Sequence, residues 1–370
     1  MHPSVYVPEI PPTPVNSPSI QINYACAPAR PLLKTSTMRT TIKALLCSII
    51  ATACAPIGDR GDDFDGPDAG VDAGSAAATC DQIETKTMNL SVSGTAAFNG
   101  LPGKCWKLVG TLTITGSTLT SVAGLKDLRE VQDLVIENTA LTKIDTMSNF
   151  TVSGNVTIRN NTKLTDLSKV DAMSTLSSLT VETNAELASF GGLTKATIVT
   201  GMTKIANNPK LATLSLGSTQ RLEGGLIISD NQLLGTVDMH SVNSTGAIDI
   251  RNNGNLTMLT LTGLQQVHGN LTIDNNDKLE SLAGIATGIN VSAPYGVWLT
   301  NNAVLKNVQS IARAVFIYGA VTINANPQLT YTSAHEIYCC ADTGPVAIGG
   351  TVNQGNCGGG HYCAQCIARQ

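Results

Sequence analysis

The chain has 370 residues, 42% of them hydrophobic and 14% charged, so it carries enough apolar side chains to bury one or two cores and is not disordered throughout. A net charge of −4 and the lack of any Lys/Arg run longer than two residues exclude the electrostatic footprint of a nucleic-acid binder. The most apolar run, Ala44 to Ala53, is about half of the roughly 20 residues a membrane-spanning helix needs, so no such helix is expected.

Residues 1–37 hold eight of the fifteen prolines and show no apolar periodicity, so nothing there can pack. Met38, Arg39 and Lys43 then form a short basic start, Ala44 to Ala53 an apolar core, and Ala51-Thr52-Ala53-Cys54 a small-residue cleavage site. That is the layout of an export signal over 38–53. Such a signal stands at an N-terminus, so Met38 is read as the translation start and 1–37 as an upstream segment, with a Pro-rich arm as the alternative. The closing four residues resemble the bacterial lipobox, in which the cysteine is acylated. The resemblance implies a lipid on Cys54, a membrane attachment through that anchor, and residence at the outer membrane or cell surface; a plain peptidase cut leaves a secreted protein instead. Residues 54–79 are acidic and rich in Gly, Asp and Ala, too poor in apolar groups to offset their chain entropy, and read as a tether. Their aspartates lack the glutamate that closes an EF-hand loop.

Residues 80–110 read as an N-terminal cap. From Thr111 a pattern recurs ten times through 111–332: apolar, any, apolar, two residues, Asn, two or three residues, Leu, and an apolar residue three further on. Marking the second apolar residue of each strand gives Ile114, Ile136, Ile158, Val181, Ile205, Ile228, Ile250, Ile273, Leu299 and Ile323, which span 209 residues in nine steps of about 23, the length of a solenoid coil. Three residues on stand Ser117, Thr139, Asn161, Asn184, Asn208, Asn231, Asn253, Asn276, Asn302 and Asn326. An amide offers two donors and an acceptor, so stacked Asn side chains can bond the turn backbone of neighbouring coils, with Ser117 and Thr139 doing part of this. Leu119, Leu141, Leu164, Leu187, Leu211, Leu234, Leu256, Leu279, Leu305 and Leu329, each followed by a further apolar residue except before Thr332, fill the interior. One coil cannot bury enough to fold alone, so the units must stack into a closed-ended array. The predicted fold is mainly β, a right-handed parallel β-solenoid with disulfide-rich caps.

The segment Val267-His268-Gly269-Asn270-Leu271-Thr272-Ile273-Asp274-Asn275-Asn276, with Leu279 and Leu282-Ala283-Gly284-Ile285 after it, resembles the receptor L domain, the leucine-rich solenoid of growth-factor and insulin receptors and of many secreted microbial proteins. Lys104-Cys105-Trp106, leading into the first strand, is similar to that family's opening. The resemblance covers roughly residues 80 to 340; it implies the fold and a ligand-binding face, and does not carry over receptor signalling.

With Cys26 and Cys47 in the leader and Cys54 assigned to lipid, seven cysteines remain: Cys80, Cys105, Cys339, Cys340, Cys357, Cys363 and Cys366. Export places them in an oxidising compartment, where Cys80 with Cys105 would pin the N-terminal cap over the first coil and the last five would staple a C-terminal cap over 333–370, one left over. The alternative for Cys357, His361, Cys363 and Cys366 is a zinc site; disulfides are preferred, and neither metal nor other cofactor is expected.

Period-two alternation turns the residues beside each marker outward: Thr113/Thr115, Val135/Glu137, Thr157/Arg159, Thr180/Glu182, Lys204/Ala206, Ile227/Ser229, Asp249/Arg251, Thr272/Asp274, Trp298/Thr300 and Thr322/Asn324. Trp298 is the one large aromatic, with Asp249, Arg251 and Asp274 on nearby rungs, which is the composition of a binding hot spot; ordinary cross-strand packing is the alternative. Charges interrupt the threonine ladder that ice binding would need. A carbohydrate-active enzyme, the alternative from another class, needs paired carboxylates, and Asp249 and Asp274 could face each other across one rung. No GxSxG, HExxH or Walker loop occurs, and none of His240, His268, His335 and His361 has a matching Ser or Cys beside it in sequence. His268 is placed in the turn entering its strand, and Asn-x-Ser/Thr triplets such as Asn255-Leu256-Thr257 follow from repeat composition. The expected function is non-enzymatic recognition of a protein or glycan on the strand face, or else a structural envelope role.

Overall fold

The computed structural model describes residues 80, 82–144, 150–167, 175–191, 196–312, 316–329, 346–348 and 351–352. The leader, Cys54, the tether, Thr332, and the cysteines from Cys339 to Cys366 with His361 lie outside the described residues.

Each of the central coils is a triangle of three short strands. Apolar–polar alternation forms the first side, for example Leu226–Ser229, with Leu226 and Ile228 inward. A left-handed residue then turns the corner. Asn138, Asn160, Thr183, Asn207, Asp230, Asn252, Asn275, Asn301 and Ala325 all have φ between 54° and 59°, a region that Asn and Asp tolerate better than other L residues. A buried leucine such as Leu234 leads into the second side, Thr236–Asp238, and a turn brings the chain to the third, Ser244–Thr245, before the next coil begins at Ile248.

Stacked coils yield three sheets of 15, 7 and 4 strands. Pairing between coils is parallel and in register: Ile205 lies beside Val181 and Ile228, Ile250 beside Ile228 and Ile273, and Leu299 beside Ile273 and Ile323. The marker column extends past the ten repeats, to Val92 below and Ile348 above. Helix is nearly absent among the described residues: two short 3-10 turns and the four residues Gln309–Ala312. None is long and apolar enough to cross a membrane.

One continuous apolar column fills the triangle, with Leu119 through Leu305 buried as expected. The seven-stranded sheet adds a third inward column, including Leu176, Val199, Leu222, Val267 and Val291, which the leucine spacing did not announce.

At the N-terminal end, Glu84–Thr87 and Leu90–Val92 both pair with the long strand Trp106–Thr115, so an extra rung covers the first coil. Cys80 and Cys105 are joined in a disulfide, with Cα atoms 5.7 Å apart and a sequence separation of 25. Closing a loop of that size restricts the unfolded chain, so Cys80→Ser with Cys105→Ser is expected to cost about 3 kcal/mol in urea-unfolding free energy. A loss under about 1 kcal/mol would show that the cap is held by its strands alone.

Candidate functional site

The outer face of the 15-stranded sheet carries two columns, one on each side of the buried markers. In-register pairing fixes their neighbours: Asp249, Thr272, Trp298 and Thr322 follow one another in one column, and Arg251, Asp274, Thr300 and Asn324 in the other. At about 4.8 Å per rung, Asp249 stands roughly 10 Å from Trp298 along the stack. Trp298 is half-buried between Thr272 and Thr322, rigidly placed on a strand and open on its outer side.

Most charges on this face pair with one another. Arg251 grips Asp249 in a two-pronged contact, its Nε donating to Asp249 Oδ1 at 2.8 Å and its Nη2 to Oδ2. Arg159 bonds Glu137 at 2.7 Å and Lys204 bonds Glu182 at 2.6 Å, each on an adjacent rung. Asp274 accepts from Thr300 Oγ1 and from Asn301 Nδ2, the latter at 2.8 Å. The register also corrects the expected placement of the two carboxylates. Asp249 is diagonal to Asp274, not opposite it, because its rung partner is Thr272. A carboxylate held bidentately by a guanidinium is also poorly suited to exchanging protons with a substrate.

Two residues expected to point into solvent are buried, Ala206 at 1% exposure and Ser229 at 7%. Both are short and occupy the column between the longer Glu182 and Arg251.

The asparagine ladder runs as predicted from Asn161 through Asn326. Asn184 is representative: its backbone N–H donates to Asn208 Oδ1 at 3.0 Å, and its Nδ2 donates both to Asn208 Oδ1 at 3.2 Å and back to Ile158 O at 3.0 Å. Every polar atom of the buried amide is thereby used. Thr139 starts the ladder, donating through N and Oγ1 to Asn161 Oδ1. Ser117 takes no part, because it is exposed at the first turn.

Tertiary stacking also creates neighbours that sequence spacing cannot show. His268 lies in the corner entering its strand, as expected, and its Nδ1 is 3.2 Å from Ser292 Oγ on the next rung. The two are 24 residues apart, so the absence of a Ser beside His268 in sequence did not reveal the pair. The seven-stranded sheet sets this register, pairing Val267 with Val291 and Val291 with Ile317. His268, Ser292 and Tyr318, each following one of those residues, therefore stack in one corner column. A separate open hollow, lined by Lys107, Glu130, Gln132, Thr151, Ser153 and Ser177, lies in the first coils, many rungs from Trp298. No group of three or more His, Cys, Asp or Glu that could hold a metal occurs among the described residues.

The fold and this face define a parallel β-solenoid with a long sheet whose outer face no described residue crosses. No family model, curated protein or solved structure matches the chain.

Proposed function

We propose that the chain is an exported, lipid-anchored recognition protein of the receptor L type, without enzymatic activity, that binds a protein or glycan on the outer face of its long sheet around Trp298. The observation that carries this reading is the face itself. Apart from Ala206 and Ser229, its two outward columns stay half-buried or exposed along the stack, and Trp298 is held among hydroxyl-bearing neighbours on unbroken strands. A preformed surface with a fixed aromatic loses little entropy on binding, and its internally paired charges cost little further desolvation. The coil length, the Asn ladder and the disulfide ahead of the first long strand support the receptor L likeness. The lipobox-like end of the export signal supports anchoring through Cys54, with residence at the outer membrane or cell surface.

The test is a screen of the mature chain against envelope glycans and surface proteins, with Trp298→Ala beside it. Saturable binding that falls at least tenfold in the variant, about 1.4 kcal/mol, is the expected result. Binding equal in both proteins would move the site off this face. No binding at all, with native circular dichroism, would favour a structural envelope role.

A further inference from the structure

We propose that the corner joining the seven-stranded and long sheets at the coils of Trp298 and Tyr318 is a subsite for an uncharged sugar chain, with Tyr295, Trp298 and Tyr318 as its stacking surface. This rests on the recognition reading above and names the ligand class and the residues that would select it.

The aromatic side chains are segregated. Trp106, Phe150 and Phe190 are buried in the core and Phe98 packs against it, whereas Tyr295 is 39% exposed, Tyr318 37% exposed and Trp298 half-buried. Those three lie on two neighbouring coils. Tyr295 and Trp298 are three residues apart in one corner and strand, and the N–H of Gly319, next to Tyr318, donates to Tyr295 O at 2.8 Å. The two tyrosines therefore sit on adjacent rungs.

Chain length at the corner points the same way. The coil from Ile273 to Leu299 takes 26 residues where the other coils take 22 to 24. Five residues, Ser292 to Gly296, connect Val291 to Val297 here, against three in the equivalent corners Val267 to Leu271 and Ile317 to Val321. The added length falls where Tyr295 is presented to solvent.

The chemistry around the rings is polar, and the nearest charge on the sheet face is Asp274 on the preceding rung, held by Thr300 and Asn301. No Asp, Glu, Lys or Arg occurs from Ser281 to Leu305, in contrast to the paired charges on earlier rungs. Available to a ligand beside the rings are Thr272 and Thr322 on the sheet and the Ser292–His268 pair at 3.2 Å. Aromatic faces pack against the C–H faces of a pyranose, while hydroxyl, amide and imidazole groups exchange hydrogen bonds with its hydroxyls. No described Lys or Arg stands in the corner to neutralise a sulfate or uronate. Three rings spanning two rungs also make a patch far smaller than the roughly 800 Å² per partner of a stable protein interface.

The test uses the mature full chain and soluble neutral oligosaccharides of glucose, mannose, galactose and N-acetylglucosamine, beside uronate and sulfated oligosaccharides. Trp106 is buried, so quenching of tryptophan fluorescence by acrylamide reads Trp298 directly. Expected are saturable binding of at least one neutral oligosaccharide, protection of Trp298 from the quencher, and affinity that changes less than twofold between low and high salt. Tyr295→Ala and Tyr318→Ala should each weaken binding at least fivefold, Tyr295→Phe less than twofold, and Asp249→Asn not at all. Binding selective for anionic glycans, or binding of a protein that Trp298→Ala abolishes and both tyrosine variants leave intact, overturns the sugar subsite while the recognition reading stands. A natively folded chain that binds no glycan and no protein overturns both.

Discussion

Asn231→Ala is expected to lower the unfolding free energy by about 4 kcal/mol, although it removes no hydrophobic surface. Asn231 is completely buried and sits mid-ladder. Its Oδ1 accepts from the backbone N–H of Asn208 at 3.0 Å and from Asn208 Nδ2 at 3.3 Å, while its own Nδ2 donates to Ile205 O at 3.0 Å and Asn253 Oδ1 at 3.3 Å. Alanine strands the Asn208 N–H in a dry interior, which costs about 1–3 kcal/mol, and takes from the Ile205 carbonyl and from Asn208 and Asn253 their side-chain bonds, at about 1 kcal/mol each. Asn231→Asp keeps the acceptor but sets a carboxylate oxygen against the Ile205 and Asn253 oxygens with no cation beside it, so at neutral pH it should cost at least as much. Asn255→Ala is the control: it also loses a bond, to Gln232 O at 2.8 Å, but at a half-exposed turn where water replaces it, and should cost under about 1 kcal/mol. Because coupling between coils runs only through nearest neighbours, breaking the ladder should also split a single urea transition into two. A cost for Asn231→Ala no greater than the control would show that sheet pairing alone holds the stack.

Gly224→Val should cost about 3 kcal/mol or more, for a steric reason. A Cβ at Gly224 would lie against the carbonyl carbon of Gly201 on the preceding coil and 2.6 Å from its Cα and O. Those are backbone atoms already committed to the stack, so the two coils must move apart along the corner. Gly235→Ala provides the contrast, since its Cβ would find nothing nearer than 3.8 Å; that substitution should be neutral or stabilise by about 0.5 kcal/mol through the unfolded state. Equal melting temperatures for Gly224→Val and the native chain would mean that the corner is looser than its packing indicates.

Much of the architecture was legible in the chain. The 23-residue period, the Asn ladder and the interior leucines repeat with constant chemistry because every coil solves the same problem: burying an apolar triangle and using every buried amide. The left-handed corner was also present in sequence, as the Asn or Asp before most ladder residues, in Asn207-Asn208, Asp230-Asn231, Asn252-Asn253 and Asn275-Asn276. Glycines such as Gly224 were less legible, because the atom that excludes a side chain belongs to the previous coil.

What the chain determined by itself was therefore the repeat, its inward residues, its ladder and the alternation that turns Trp298 outward, all of which depend on spacing within one coil. Only stacking decided which outward groups meet. Arg251 was free on paper to reach Asp274, opposite it across the rung, but closes on Asp249 of its own strand. Ala206 and Ser229 alternate outward and are nevertheless buried. Ser292 reaches His268, and Tyr318 comes beside Tyr295, across about a full coil of chain. Contacts of this kind depend on rung register and on the length of each corner, and both are settled when neighbouring coils pair their backbones rather than by any residue within a single coil.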